Sequence, residues 1–142
     1  MDFTKVREDE EKSILEKKEI VEKDFWRQKY HIQGIVGLIN DPNGFSQFNG
    51  KYHMFYQWNP LGTNHKNKTW AHSVSDDLLH WKRLKTALRP DTWYSKDGAY
   101  SGSAIVDDDK LYLFYTGNVK DSDGNRESYQ CLAVSSDGEN FE

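Results

Sequence analysis

The chain has 142 residues and a net charge of −4, with no sustained basic stretch in its aromatic part, which excludes the electrostatic footprint of a nucleic-acid binder. Its aromatic content of 14% supplies side chains for the core of one domain, yet no run approaches the roughly 18 apolar residues that span a membrane. The lone cysteine, Cys131, rules out an internal disulfide, no metal-ligand spacing or cofactor motif accompanies it, and its strand-like flanks Gln130 and Leu132 predict a buried, inert thiol.

At the N-terminus, Met1 to Lys5 leads into charges rather than an apolar segment, which argues against a secretory signal and, if Met1 is the natural start, for the cytoplasm. Residues 4–29 are rich in Glu and Lys, and spacings such as Glu8 to Lys12 and Glu19 to Lys23 predict an exposed helix held by i,i+4 pairs. Val6, Ile14, Leu15, Ile20, Val21, Phe25 and Trp26 form the one apolar stripe, too irregular for a coiled coil and suited to docking one weak face. The expected division is a charged helical segment over 1–30 and an all-β body over 31–142.

The body opens on Asn40-Asp41-Pro42-Asn43-Gly44, which suits a type I turn and also carries a carboxylate at the start of a sheet. The runs Phe45–Phe48 and Lys51–Gln57 flank Asn49-Gly50, the signature of a tight hairpin with a primed turn. Further turn signals stand at Asp97-Gly98, Asp107-Asp108-Asp109, Asp123-Gly124 and Asp137-Gly138. An internal repeat runs through this body: Lys51–Tyr56 aligns with Lys110–Tyr115 at an offset of 59, and Ser73–Asp77 with Ala133–Asp137 at 60. That period, with about four short strands per unit, predicts propeller blades.

The blocks Gly37–Phe45, Phe55–Pro60, Trp70–Trp81, Tyr100–Ala104 and Leu111–Asn118, taken in order, resemble glycoside hydrolase family 32, the β-fructofuranosidases. Gly62-Thr63-Asn64-His65 and the block Asp123–Ser135 are most similar to the bacterial branch acting on sucrose 6-phosphate. The resemblance implies a five-bladed propeller with its site in the central funnel and a metal-free retaining hydrolysis of a fructosyl bond. Retaining glycosidases use two carboxyl groups about 5–5.5 Å apart, one as nucleophile and one as acid/base. By resemblance Asp41 is the nucleophile, Asn40 and Gln57 hydrogen-bond fructose hydroxyls, and Ser101 belongs to a Phe-Ser-Gly-Ser block in which Tyr100 replaces the usual Phe. His65 stands where many members carry Trp and helps set what the pocket accepts; with Lys66 and Lys68 it suggests a phosphate contact, and a solvated loop explains the same residues. Trp58 and Trp70 fit either a pocket wall or the core.

Departures from the family pattern are mild at Gly34-Ile35, where Pro-Pro is usual, and at Ala71, a common Gly. Larger is the absence of the Arg-Asp-Pro block and of the Glu-Cys block that carries the acid/base glutamate. Asp76, Asp77, Asp97 and Glu127 sit in turn or edge contexts and make no convincing substitute. Residues 31–142 hold about two repeats, whereas closure takes typically four or more. The expectation is the first two blades of an incomplete propeller behind an N-terminal helix, binding a small sugar, inactive alone, and completed by further polypeptide or a second chain. A non-catalytic carbohydrate-binding module and the product of an interrupted gene are the rival readings.

Overall fold

The computed structural model describes residues 4–142, so the first three positions of the expected 1–30 segment lie outside the described residues. Helix α1 spans Thr4–Glu22. It ends well short of residue 29, where the Asp24 carboxylate accepts from the Trp26 amide at 2.8 Å in a local turn that competes with further helix. Lys23 pairs with Glu19 as expected, but Lys12 turns to Glu16 rather than Glu8.

The apolar stripe is only half used. Ile14 and Val21 pack against Val36, Tyr56, Trp58 and Ala71, whereas Leu15, Ile20, Phe25 and Trp26 remain exposed. Polar contacts pin the helix instead: Glu10 is 4% exposed, accepts from Thr86 Oγ1 at 2.6 Å and pairs with Arg89 Nε at 2.9 Å. Ser13, also buried, donates to the carbonyl of Pro60 at 2.7 Å. A buried carboxylate is tolerated on this interface because a guanidinium and a hydroxyl both meet it.

Two antiparallel sheets follow. The first has the order β1 (Leu38–Phe48), β2 (Lys51–Asn59), β3 (Thr69–Ser75) and β4 (Lys82–Arg83). The second has the order β5 (Ala99–Asp107), β6 (Lys110–Lys120) and β7 (Arg126–Ser135). Asn49 and Gly50 turn between β1 and β2 with φ of 48° and 74°, the left-handed pair that a primed hairpin turn requires. The repeat maps strand on strand, β2 on β6 and β3 on β7. At its end Ser75 Oγ donates to Asp77 at 3.1 Å and Ser135 Oγ to Asp137 at 2.9 Å, and each aspartate caps the two amides beyond it. Val134 and Glu142 exchange backbone hydrogen bonds where Val74 pairs with Lys82 one repeat earlier.

The sheets face each other across a core of Phe55 and Trp70 from one and Leu111, Leu113 and Tyr115 from the other. Side chains alternate along β2, so Phe55 and Gln57 look toward the second sheet while Tyr56 and Trp58 look toward α1. Trp58 and Trp70 are both fully buried, which assigns them to the core rather than to a pocket wall. Cys131 lies on β7 and is half-buried, less enclosed than expected. Among the described residues no helix is long and apolar enough to cross a membrane.

Candidate active site

Asn40-Asp41-Pro42-Asn43-Gly44 is not a chain reversal. It lies inside the eleven-residue strand β1, and the ladder shows why a turn-like composition survives there. Ile39 pairs with Trp58 and Pro42 with Tyr56, so Asn40 and Asp41 together oppose Gln57 alone: a β-bulge. Pro42, with no N–H to give, is tolerated at a bulged edge strand. A second irregularity places Gly44 and Phe45 opposite Met54.

The second sheet carries a matching feature. Tyr100 pairs with Thr116 and Gly102 with Tyr115, leaving Ser101 as an extra residue with no partner. Gly102 is required there because a Cβ would stand 1.9 Å from the Phe114 carbonyl oxygen. The two bulges face each other: Ser101 Oγ donates to Asp41 Oδ2 at 3.0 Å, and the Gly102 amide donates to Asn43 Oδ1 at 3.2 Å.

Asp41 therefore has a donor at each oxygen, since Asn40 Nδ2 meets its Oδ1 at 2.9 Å. Lys68 completes the chain by donating to Asn40 Oδ1 at 2.8 Å. Burial pushes the Lys68 ammonium below its ordinary pKa, with the Asp41 charge opposing the shift. Gln57 Nε2 donates to the Ala99 carbonyl at 3.0 Å, which leaves its side-chain oxygen free of any protein donor among the described residues.

All six residues expected at a site, Asn40, Asp41, Gln57, His65, Tyr100 and Ser101, line one open cavity of about 250 Å³. Two further residues complete its wall, Lys68 and Arg126. Of the two lysines that suggested a phosphate contact, Lys66 does not line the cavity, whereas Lys68 does, with its ammonium bonded to Asn40. Arg126 was missed. It opens β7, its guanidinium sits 5.8 Å from the Tyr100 ring centroid, and the signal for it was its place as the one cation within the block Asp123–Ser135.

Asp41 is the single carboxylate lining this cavity among the described residues. The others are occupied elsewhere. Asp77 caps a turn, Asp97 accepts from the Lys120 amide, Asp76 pairs with Lys51, and Glu127 accepts from the Tyr129 hydroxyl.

The family model for the glycosyl hydrolases family 32 N-terminal domain matches residues 31–142. The chain belongs to glycoside hydrolase family 32. It is 57% identical over 129 residues to a sucrose-6-phosphate hydrolase of Bacillus subtilis, covering 90% of this chain and 27% of that protein. The corresponding hydrolase of Salmonella typhimurium is 53% identical over 106 residues, with 75% and 23% covered. Among solved structures, a sucrose-6-phosphate hydrolase from Lactobacillus gasseri superposes with a TM-score of 0.88 at 41% identity, over 93% of this chain and 27% of that one. A Bombyx mori family 32 β-fructofuranosidase gives 0.86 at 40% identity over 100% and 30%, and a mutant of it was solved with sucrose. The chain thus spans about a quarter of the length of the relatives it matches, and its two sheets correspond to the first part of their five-bladed propeller.

Proposed function

We propose that this chain supplies the nucleophile half of a retaining hydrolase that cleaves the fructosyl bond of sucrose or sucrose 6-phosphate. The observation that carries the reading is Asp41, held at both oxygens by Asn40 and Ser101 on the wall of a cavity shared by two sheets. A carboxylate so fixed is ready for in-line attack at the anomeric carbon. The free oxygen of Gln57 accepts a sugar hydroxyl, and the amide of Asn40 offers a donor to another. His65 and Arg126 stand at the same wall, where a leaving-group sugar with a phosphate would meet a guanidinium. A charged phosphate ester crosses bilayers poorly, so this reading carries a cytoplasmic site of action.

With one carboxylate in the cavity, the isolated chain binds sugar without turning it over, the behaviour of a carbohydrate-binding module. The proton donor comes from other polypeptide, continuous or separate. A donor whose leaving group needs no protonation separates the halves of the chemistry. Incubated with β-fructofuranosyl fluoride, Asp41 attacks the anomeric carbon as fluoride departs, and mass spectrometry reads one added fructosyl unit. Labelling is expected at Asp41 and lost in Asp41→Asn. Equal labelling of the variant, or normal sucrose turnover by the 142-residue protein, overturns the proposal.

A further inference from the structure

The face of the first sheet opposite Gln57 carries a second, separate cavity of about 300 Å³, enclosed by α1, the segment that follows it, β2, β3 and β4. Its charge is one-sided. Lys18, Arg27 and Arg83 supply three cations, against the single carboxylate of Glu22, which already faces Lys18 at 3.6 Å. Arg27 gives Nη1 to the carbonyl of Gly34 at 2.8 Å, a neutral partner that leaves its charge uncompensated.

Arg83 is the decisive residue. Its guanidinium lies 4.2 Å from the Trp58 ring centroid, which fixes the plane, and its Nη1 is buried with no hydrogen-bond acceptor among the described residues. A buried, charged donor left unmet is costly, and such groups are ordinarily matched by an acceptor. His31 adds a second oddity: it lines the same cavity with φ of 77°, a strained backbone for a non-glycine residue, while its Nδ1 is tied to Gln28 Oε1 at 2.8 Å. A planar fork pinned on an indole, a second guanidinium and an ammonium around one small cavity is the arrangement that recognises a tetrahedral oxyanion.

We infer that this cavity is a binding site for a phosphate-class oxyanion, either inorganic phosphate or the phosphate group of a sugar monoester, seated between Arg83 and Arg27. It lies on the far face of β2 from the sugar cavity, Tyr56 lining one and Gln57 the other, and does not depend on the hydrolase reading.

The test titrates the isotopically labelled 142-residue protein with inorganic phosphate, then with glucose 6-phosphate, at matched ionic strength set by chloride. Saturable shifts are expected at the Trp81 indole and at His31, both in the cavity wall. Arg83→Gln and Arg27→Gln should each weaken binding about tenfold, the loss of one charge-assisted hydrogen bond. Arg27→Gln decides alone if Arg83→Gln, deprived of its stacking on Trp58, does not fold. Arg126→Ala, in the other cavity, should leave these shifts unchanged. Equal response to the two ligands assigns the site to the bare anion, and tighter binding of the ester assigns it to a sugar phosphate. Shifts that do not saturate, that match those in chloride, that survive Arg27→Gln, or that vanish in Arg126→Ala overturn the proposal.

Discussion

Acid should unfold this protein through one pair of side chains. His53 on β2 and His72 on β3 are buried among aromatic rings, His53 against Phe48 and Phe55 and His72 against Phe55 and Phe141, with His53 Nδ1 and His72 Nε2 3.0 Å apart. Their tautomers follow from the partners: His53 Nε2 lies 3.3 Å from the Phe48 carbonyl and must donate, so His53 Nδ1 accepts and His72 Nε2 donates. His72 Nδ1 is then a buried lone pair with no donor, the one place a proton could go. Burial, with His53 adding to it, pushes His72 from 6.5 down to about 3, and burial lowers His53 as well, against Glu139 and alongside Lys51. Because the folded value lies below the unfolded one, the unfolded chain takes up the proton first, and stability is lost as pH falls below 6.5. His72 alone costs about 2 kcal/mol by pH 5, with a slope near 1.4 kcal/mol per pH unit, a large part of the 5–15 kcal/mol typical of a domain. His53 adds to this in the same direction. His80, raised by its hydrogen bond with Asp77, works oppositely, and its stabilisation fades only as pH rises above 6.5; Asp77 and Asp137, both lowered by hydrogen bonds, matter only below 3.8. Urea unfolding followed by tryptophan fluorescence between about pH 7.5 and 5 should therefore show a falling midpoint, and His72→Phe should remove the share of that fall due to His72, about 2 kcal/mol by pH 5. A flat wild-type profile, or the same slope in the variant, refutes the reasoning.

Gly102→Ala must push the Phe114 carbonyl away from a Cβ placed at 1.9 Å, opening the β5–β6 ladder at a cost of about 2–4 kcal/mol, visible as a lowered midpoint in urea. Glu10→Gln strips Arg89 of its carboxylate partner and should cost about 3 kcal/mol; circular dichroism on heating should then show α1 melting before the sheets. Ser101→Ala removes a hydrogen bond to a charged oxygen on an exposed side chain, so fructosyl labelling of Asp41 should slow about tenfold while the thermal midpoint barely moves.

The blade pattern was legible because it is written locally. The offset of 59–60 residues aligns β2 with β6, and the Ser-x-Asp sequences that end β3 and β7 fold into the same capped turn at Asp77 and Asp137. The bulges were not legible, for a physical reason. Asp-Pro-Asn-Gly satisfies the demands of a type I turn and of a bulged edge strand equally, and only the pairing of Pro42 with Tyr56 decides between them. The polar anchoring of α1 was not legible for the same kind of reason. The apolar stripe is visible within the helix, whereas the partners of Glu10 lie 76 and 79 positions away at Thr86 and Arg89. Lys68 reads as one more charge of a solvated loop until its ammonium is seen bonded to Asn40.

What sets the candidate nucleophile in place is the joint between the two sheets. Four side-chain hydrogen bonds cross it beside Asp41: Ser101 to Asp41 itself, Gly102 to Asn43, Gln57 to Ala99, and Trp70 Nε1 to the Tyr100 carbonyl at 3.1 Å. Each uses a group freed from, or beside, an irregularity in the ladders, since a regular strand spends its backbone on its neighbours and aims its side chains alternately. The aromatic core of Phe55, Trp70 and Tyr115 lies directly behind these bonds and resists sliding of one sheet over the other. Of the two donors to the Asp41 carboxylate, Asn40 comes from its own bulge and Ser101 from across the joint, so both sheets hold that carboxylate, and on the reading proposed above its proton donor is a group that neither sheet brings into the cavity.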